Sequence, residues 1–409
     1  MHPILRALIV ILILAPAAAA DVPVIDNPRE APTERTITYE EAWRAGADDE
    51  ADFIFGVIGD VATDTAGNLY LLDFQQFTVF KFSPTGEYLG TVSRQGEGPG
   101  EINYCFGMTR WDEDHLALEK TVPSGLVLVK NDGTPDRNLQ FQFASRSENQ
   151  RFAFADGLAI RDGYLVTGGQ AVRLENGLRY TTNFTVTLDR DLKEIHSFGD
   201  HESAVVFADE VTVDEAREFS PTRTWALGRE GEVYFAPQRD AWVIEVRRTT
   251  GELVRIIRRD FEPHRRTKEE KEDAKSRWTF SSDGSLPPIH YRMCDTDPAI
   301  RRMAFHGDEL WVWSPGQEKD LPEGTATRFD LLDRTGHLVE ERSLAFPYDP
   351  EQDGLHHLDD GRVVRVKAFT SAHDASQAGW QVQKGETKVV GSDAGDIVLE
   401  VIVYRPAGG

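Results

Sequence analysis

The sequence predicts an all-β fold, and within that class a six-bladed β-propeller, on three observations. A strand, tight turn, strand and hairpin pattern recurs from residue 60 to the C-terminus. The strand after the tight turn appears six times. The last copy is one strand short, and the segment ahead of the first copy has the composition to supply it.

The chain opens "MHPILRALIVILILAPAAAADVP", with one strong positive charge at Arg6, an apolar run from Ile4 to Leu14, and Ala18 to Ala20 as a small-residue cleavage site. Residues 1–20 are expected to be a signal peptide. The run is shorter than the roughly 20 residues that span a bilayer, and Pro16 breaks it. The rest, 21–409, is expected to be a single domain that is secreted or periplasmic.

The 409 residues carry 45 basic and 69 acidic side chains, a net charge of −24, and −25 once Arg6 leaves with the leader. Such a surface repels phosphate backbones and anionic lipid, so neither nucleic acid nor membrane insertion is expected. Two cysteines, Cys105 and Cys294, are too few for a disulfide framework. Export permits one bridge between them, and two unpaired thiols are the alternative.

In the first copy "DTAGNLYLLD" sets Gly67-Asn68 ahead of an apolar strand, and "FTVFKFSPTGEYLGTVS" folds about Gly86. The strand returns as "HLALEK", "GYLVTGG", "EVYFAP", "ELWVWS" and "RVVRVKAF". Hairpin turns recur at Gly133, Gly251 and Gly336, where positive φ is needed. Strands that read apolar without clean alternation are buried on both faces. The final "DIVLEVIVYRP" is a third strand without a fourth, and "ERTITYEEAW" from Glu34 to Trp43 is expected to complete it, removing an exposed edge.

The run "GNLYLLD … VFKFSPTGEYLGTVSRQGEGPGE", with later acidic-Gly-x-(Leu/Val)-(Tyr/Trp) turns, resembles bacterial exported six-bladed β-propellers related to NHL-repeat proteins. The resemblance covers nearly all of 21–409 and is weakest in the third and sixth copies. It implies a fold and an export route, and no agreed activity.

"RQGEGPGE", Arg94 to Glu101, leads from the first unit to the second. Its glycines and Pro99 read mainly as a crossover turn, with Gly96, Gly98 and Gly100 supplying unusual dihedrals. Glu97 and Glu101 are also placed on the loop face where a ligand can bind. Arg223 and Trp225 lead into the fourth inner strand, and Arg301 and Arg302 into the fifth. These arginines are either internal ion pairs or, if unpaired, an anion-binding mouth.

The segment 264–290 is expected to be a helical and Pro-rich insertion between blades four and five, the helix running from Thr267 to Trp278, as rim plug or lid. His356 and His357 are adjacent in a strand and point to opposite faces, so they are read as packing or hydrogen-bonding groups. Asp295 and Asp297, and Asp112 with Asp114, lack the further ligands of a calcium loop and are read as turn carboxylates. Asn183 lies in a glycosylation sequon inside a strand and is discounted.

No H-E-x-x-H, G-x-S-x-G, Walker or C-x-x-C motif is present. The expected function is therefore non-catalytic recognition of a small polar ligand, a glycan or a protein, with Glu97, Glu101, Arg223, Trp225, Arg301 and Arg302 as ligand-binding candidates. No metal ligands are assigned, no cofactor is required, and a monomer is expected. The alternative is a metal-dependent lactonase-like hydrolase with calcium or a similar divalent ion in the channel.

Overall fold

The computed structural model describes residues 21–46, 53–143, 152–175, 178–206, 210–275, 278, 288–319, 321–378, 382–383, 386–387 and 399–408. The expected signal peptide lies outside them. No helix among the described residues is long and apolar enough to cross a membrane.

The fold is mostly β with few helices, and most of its strands fall in chain order into antiparallel sets of four, the last two sets joined through Glu34–Gly46 into one eight-stranded sheet. The first sheet is Ile58–Thr63, Leu69–Asp73, Thr78–Phe82 and Tyr88–Ser93. The second is Cys105–Arg110, His115–Lys120, Gly125–Lys130 and Pro135–Gln140. The third is longer: Phe152–Arg161, Tyr164–Glu175, Leu178–Leu188 and Glu194–Val206. The fourth is Trp225–Leu227, Glu232–Phe235, Val243–Arg248 and Leu253–Arg259. The fifth is Arg302–His306, Glu309–Trp313, Thr325–Leu332 and Leu338–Ala345. The sixth group is Gly354–His357, Val363–Lys367 and Glu400–Pro406, with Glu34–Gly46 beside the last of these.

Each hairpin turn is made where a residue accepts left-handed backbone. Gly86, Gly133, Gly251 and Gly336 have φ of 90°, 87°, 90° and 99°, conformations that cost an L side chain energy.

Packing explains the unbroken apolar runs. In Leu69–Asp73 the odd residues Leu69 and Leu71 pack with Val364, Val366, Val401 and Val403 of the sixth sheet. The even residues Tyr70 and Leu72 pack with Leu116, Leu118, Val127 and Val129 of the second. Further clusters join second to third sheet, third to fourth, fourth to fifth, and fifth to sixth. Both faces of a strand are thus core, so alternation separates two cores rather than core from solvent.

The N-terminal segment crosses several sheets. Val24–Asn27 runs parallel to Leu253–Arg259. Asn27 then donates to the Gly336 carbonyl at 3.0 Å and accepts from the Leu338 amide at 2.8 Å. Glu34 to Thr38 pairs in parallel with Glu341 to Ala345, and Tyr39 to Gly46 pairs antiparallel with Glu400 to Pro406. Trp43 stacks on Phe82 at 5.6 Å and donates to the Pro84 carbonyl at 3.2 Å.

The helix expected over Thr267 to Trp278 forms as Lys268–Lys275. The Thr267 hydroxyl accepts from the Glu270 amide, and the Glu270 carboxylate accepts from the Thr267 amide, a reciprocal cap. The helix is not the only one. Phe369–Ala378 is helical within the sixth unit, a helix the sequence reading does not name. Its small and polar residues show a weak apolar face, so periodicity alone did not reveal it.

Candidate functional site

Three cavities meet the first strands of the sheets. The first, about 900 Å³, lies between the helix Lys268–Lys275 and the fifth and sixth sheets and is lined by Ala274, Arg301, Arg302, Trp313, Glu318 and His357. The second, about 1160 Å³, is bounded by Arg161, Trp225, Arg302 and Phe305 from the third, fourth and fifth sheets. The third, about 470 Å³, lies where the first three sheets meet and is lined by Asp60, Phe74, Phe106, Glu119 and Asp156.

Arg302 borders both larger cavities. Its guanidinium stands 4.8 Å over the Trp313 ring. Enclosure by the surrounding strands lowers its pKa, with the charge of Arg301 the next cause, although the side chain keeps solvent contact. Among the described residues it has no carboxylate partner. Arg301, exposed like Arg302, differs in its partner: it pairs with Glu318, whose own pKa burial raises. Of the two, Arg301 has a counter-charge and Arg302 has none among the described residues.

Arg161 adds a second cation to this wall. It donates to the Gly307 carbonyl and lies 5.2 Å over Phe305, also without a carboxylate partner among the described residues. Sequence reasoning missed it because it ends a long strand of the third unit, where no turn motif marks the position. Trp225 shares the same cavity, its indole nitrogen 3.1 Å from where a Cβ on Gly168 would stand. Arg223 is exposed and lines none of the three cavities.

The loop from Arg94 to Glu101 is organised on itself. Glu101 accepts from the Gly98 amide at 2.8 Å, and Glu97 accepts from the Asn103 amide group at 2.6 Å. Only Gly100 has positive φ, at 76°; Gly96 and Gly98 are needed for room, since a Cβ on Gly96 would fall 1.9 Å from Glu101 Oε2. Neither glutamate lines a cavity named above.

Of the three histidines His306, His356 and His357, only His357 lines the first cavity. The His357 ring packs 5.4 Å from Trp313 and 5.8 Å from His306. Burial, followed by the charge of Arg302, pushes His306 and His356 down to about 4 and His357 well below its ordinary value. They are neutral at physiological pH, which leaves the arginines as the positive groups of this wall. His357 lies among the rings of Trp311, Trp313 and His306, and both of its ring nitrogens are buried without a hydrogen-bond partner among the described residues.

The insertion is fixed by a buried charge network. Glu215 accepts from Arg239 at 3.1 Å and Arg266 at 2.7 Å, and Arg266 also reaches Asp297 at 2.7 Å. Lys271 pairs with Asp295 at 2.5 Å. Asp295 and Asp297 thus hold the helix, and Asp112 caps its own turn by accepting from Asp114 and His115 amides. Asn183 is buried in its strand. Cys105 and Cys294 are both unpaired, Cys105 buried and Cys294 half-buried. Among the described residues no three His, Cys, Asp or Glu side chains are grouped to hold a metal ion.

No family model matches the chain. No curated protein matches it significantly either. Solved structures do resemble it in outline. A protein of Bacteroides fragilis named as a candidate exported protein is 12% identical over 93% of this chain and 99% of its own, with a TM-score of 0.47. A member of the DUF4221 family from Bacteroides vulgatus is 8% identical over 90% and 97%, with a TM-score of 0.47. Virginiamycin B lyase from Staphylococcus aureus is 8% identical over 81% and 97%, with a TM-score of 0.38. Likeness at this level identifies neither a family nor an activity.

Proposed function

We propose that this protein is an exported six-bladed β-propeller, related to NHL-repeat proteins, that binds a small polar ligand carrying negative charge in the passage lined by Arg302. The observation that carries the binding reading is the Arg302 guanidinium, between two cavities, without a carboxylate partner among the described residues and stacked on Trp313. A guanidinium at a cavity wall without a counter-charge, still reached by solvent, is a ready partner for an anion. Arg161 and Trp225 supply a second charge and an apolar wall to the same passage, and a glycan bearing a carboxylate falls in this ligand class.

Support for the ring comes from packing. The first strands of successive sheets lie beside one another, and Gly354–His357 of the last lies beside Ile58–Thr63 of the first. Tyr39 to Gly46 would then be the closing strand. Export rests on residues 1–20 as a signal peptide, and the mature chain is expected to be a monomer. The hydrolase alternative requires oxygen ligands converging on one ion, and no observation favours it.

The test is calorimetric titration of the purified chain from residue 21 with a panel of small carboxylates, acidic sugars and sulfated sugars. Arg302→Gln should abolish binding of whichever anion the parent takes, with melting unchanged. Equal affinity in parent and variant, or parent binding confined to neutral sugars, would overturn the anion reading.

A further inference from the structure

The smallest cavity combines features that point to a different ligand. It is lined by three carboxylates from three sheets, buried Glu119, half-buried Asp60 and exposed Asp156, and by the rings of Phe74 and Phe106. Asp60 is engaged, accepting from the Val61 amide at 2.8 Å and the Met108 amide at 2.7 Å. Glu119 is not fully engaged. It is only 8% exposed, and its Oε1 is buried without a hydrogen-bond partner. A buried carboxylate oxygen left unpaired costs on the order of several kcal/mol, so natural interiors rarely keep one without a role.

The backbone has been cleared to make this arrangement. A Cβ on Gly59 would fall 2.0 Å from the Phe74 ring, and one on Gly107 would fall 2.7 Å from Glu119 Oε2. Neither glycine has positive φ, so room for these two side chains is what glycine provides there. Phe106, by contrast, is 52% exposed, packed edge-on to Phe74 at 5.4 Å. Aromatic rings and carboxylates lining one cavity can both attract positive charge.

We infer that this cavity binds a small organic cation, an amine or quaternary ammonium group, held by Glu119, Asp60 and Asp156 beside the rings of Phe74 and Phe106. The site is separate from the Arg302 passage, although both share Thr109, Gly157 and Leu158 as walls. An organic cation fits better than a metal ion, because the three carboxylates are not grouped as metal ligands while aromatic rings border them.

The cavity also couples binding to pH. Burial, then the charges of Asp156 and Asp60, pushes Glu119 up to about 8, and burial pushes Asp60 up to about 6. The Cys105 thiol faces the same carboxylates and is itself held protonated, by burial first. A cation must displace the Glu119 proton, so its binding strengthens as the pH rises through about 8.

Tetramethylammonium, whose charge does not titrate, is the probe, with tert-butanol as the neutral molecule of similar shape. Titration followed by NMR or calorimetry should show saturable tetramethylammonium binding at about pH 8.5, weaker by about tenfold or more at about pH 6. Glu119→Gln and Phe106→Ala should each weaken it by about tenfold, the latter without touching the core. Arg302→Gln should leave it intact, which separates this site from the anion passage. No saturable binding at the higher pH, equal binding of tert-butanol, unchanged affinity in both cavity variants, or a response to calcium alone would each overturn the proposal.

Discussion

Glu119 enters the interior beside Asp60 and Asp156, and the cost of that placement depends on pH. Its folded pKa of about 8 stands above the ordinary 4.5 of an exposed glutamate. The folded chain therefore keeps a proton that the unfolded chain releases. The associated stability is complete below about pH 4.5 and is lost as the pH rises through about 8. Glu119→Gln removes that loss. In denaturant melts without added cation, the variant should exceed the parent by up to about 5 kcal/mol at pH 9 and match it near pH 4.5. A parent that is equally stable at both pH values relative to the variant would show Glu119 to be ionised in the folded state. The histidines act in the opposite sense. With His306 and His356 lowered to about 4 from 6.5, their stability is present above about pH 6.5 and is lost as the pH falls toward 4.

At the scale of elements, the insertion is held by charge rather than by apolar area. Of the helix Lys268–Lys275 only Ala274 is buried. The contacts that dock the segment converge on Glu215, which receives Arg239, Arg266 and the Cys294 amide. Replacing Glu215 by Gln leaves two nearly buried guanidinium groups short of a counter-charge. Removing one partner from a buried network of this kind typically costs about 3–5 kcal/mol. The expected result is faster amide hydrogen exchange across residues 268–275 and a lower urea midpoint. Exchange identical to the parent would mean that the helix is docked by something other than this network. Sequence periodicity found this helix through its charged i, i+4 spacing, but it could not find Glu215, which lies over 50 residues earlier in the chain. The second helix, Phe369–Ala378, lacked such spacing and went unread.

For the whole molecule, the N-terminal segment ties together sheets that are remote in sequence. Val24–Asn27 extends the fourth sheet, Asn27 bonds the turn of the fifth, and Glu34–Gly46 lies between the fifth and sixth. Trp43 then enters the core shared by the sixth and first sheets. Removing residues 21–43 should expose strand edges along Leu253–Arg259, Leu338–Ala345 and Glu400–Pro406. The expected outcome is a loss of several kcal/mol and concentration-dependent aggregation, read by thermal melting and light scattering. A truncated chain that melts with the parent and stays monodisperse would show that these pairings contribute little.

The sequence by itself determined the class of fold, the position of the second strand and hairpin in each unit, and the glycines at Gly86, Gly133, Gly251 and Gly336, because these depend on interactions within a few residues. It also placed Arg302 and Trp225 at the starts of inner strands. Tertiary structure alone decided that Arg301 has a counter-charge and that Arg302 has none among the described residues, since Glu318 reaches one and not the other. It alone brought Arg161 into the same passage and set Glu119 beside Asp60 and Asp156. It also showed that Glu97 and Glu101 bond within their own loop, which composition could not separate from a binding role. The reason is physical. Turn geometry and burial periodicity are local properties of the chain, whereas the pairing, desolvation and pKa of a charge are set by whichever groups the fold brings within a few ångströms, and those lie tens to hundreds of residues away.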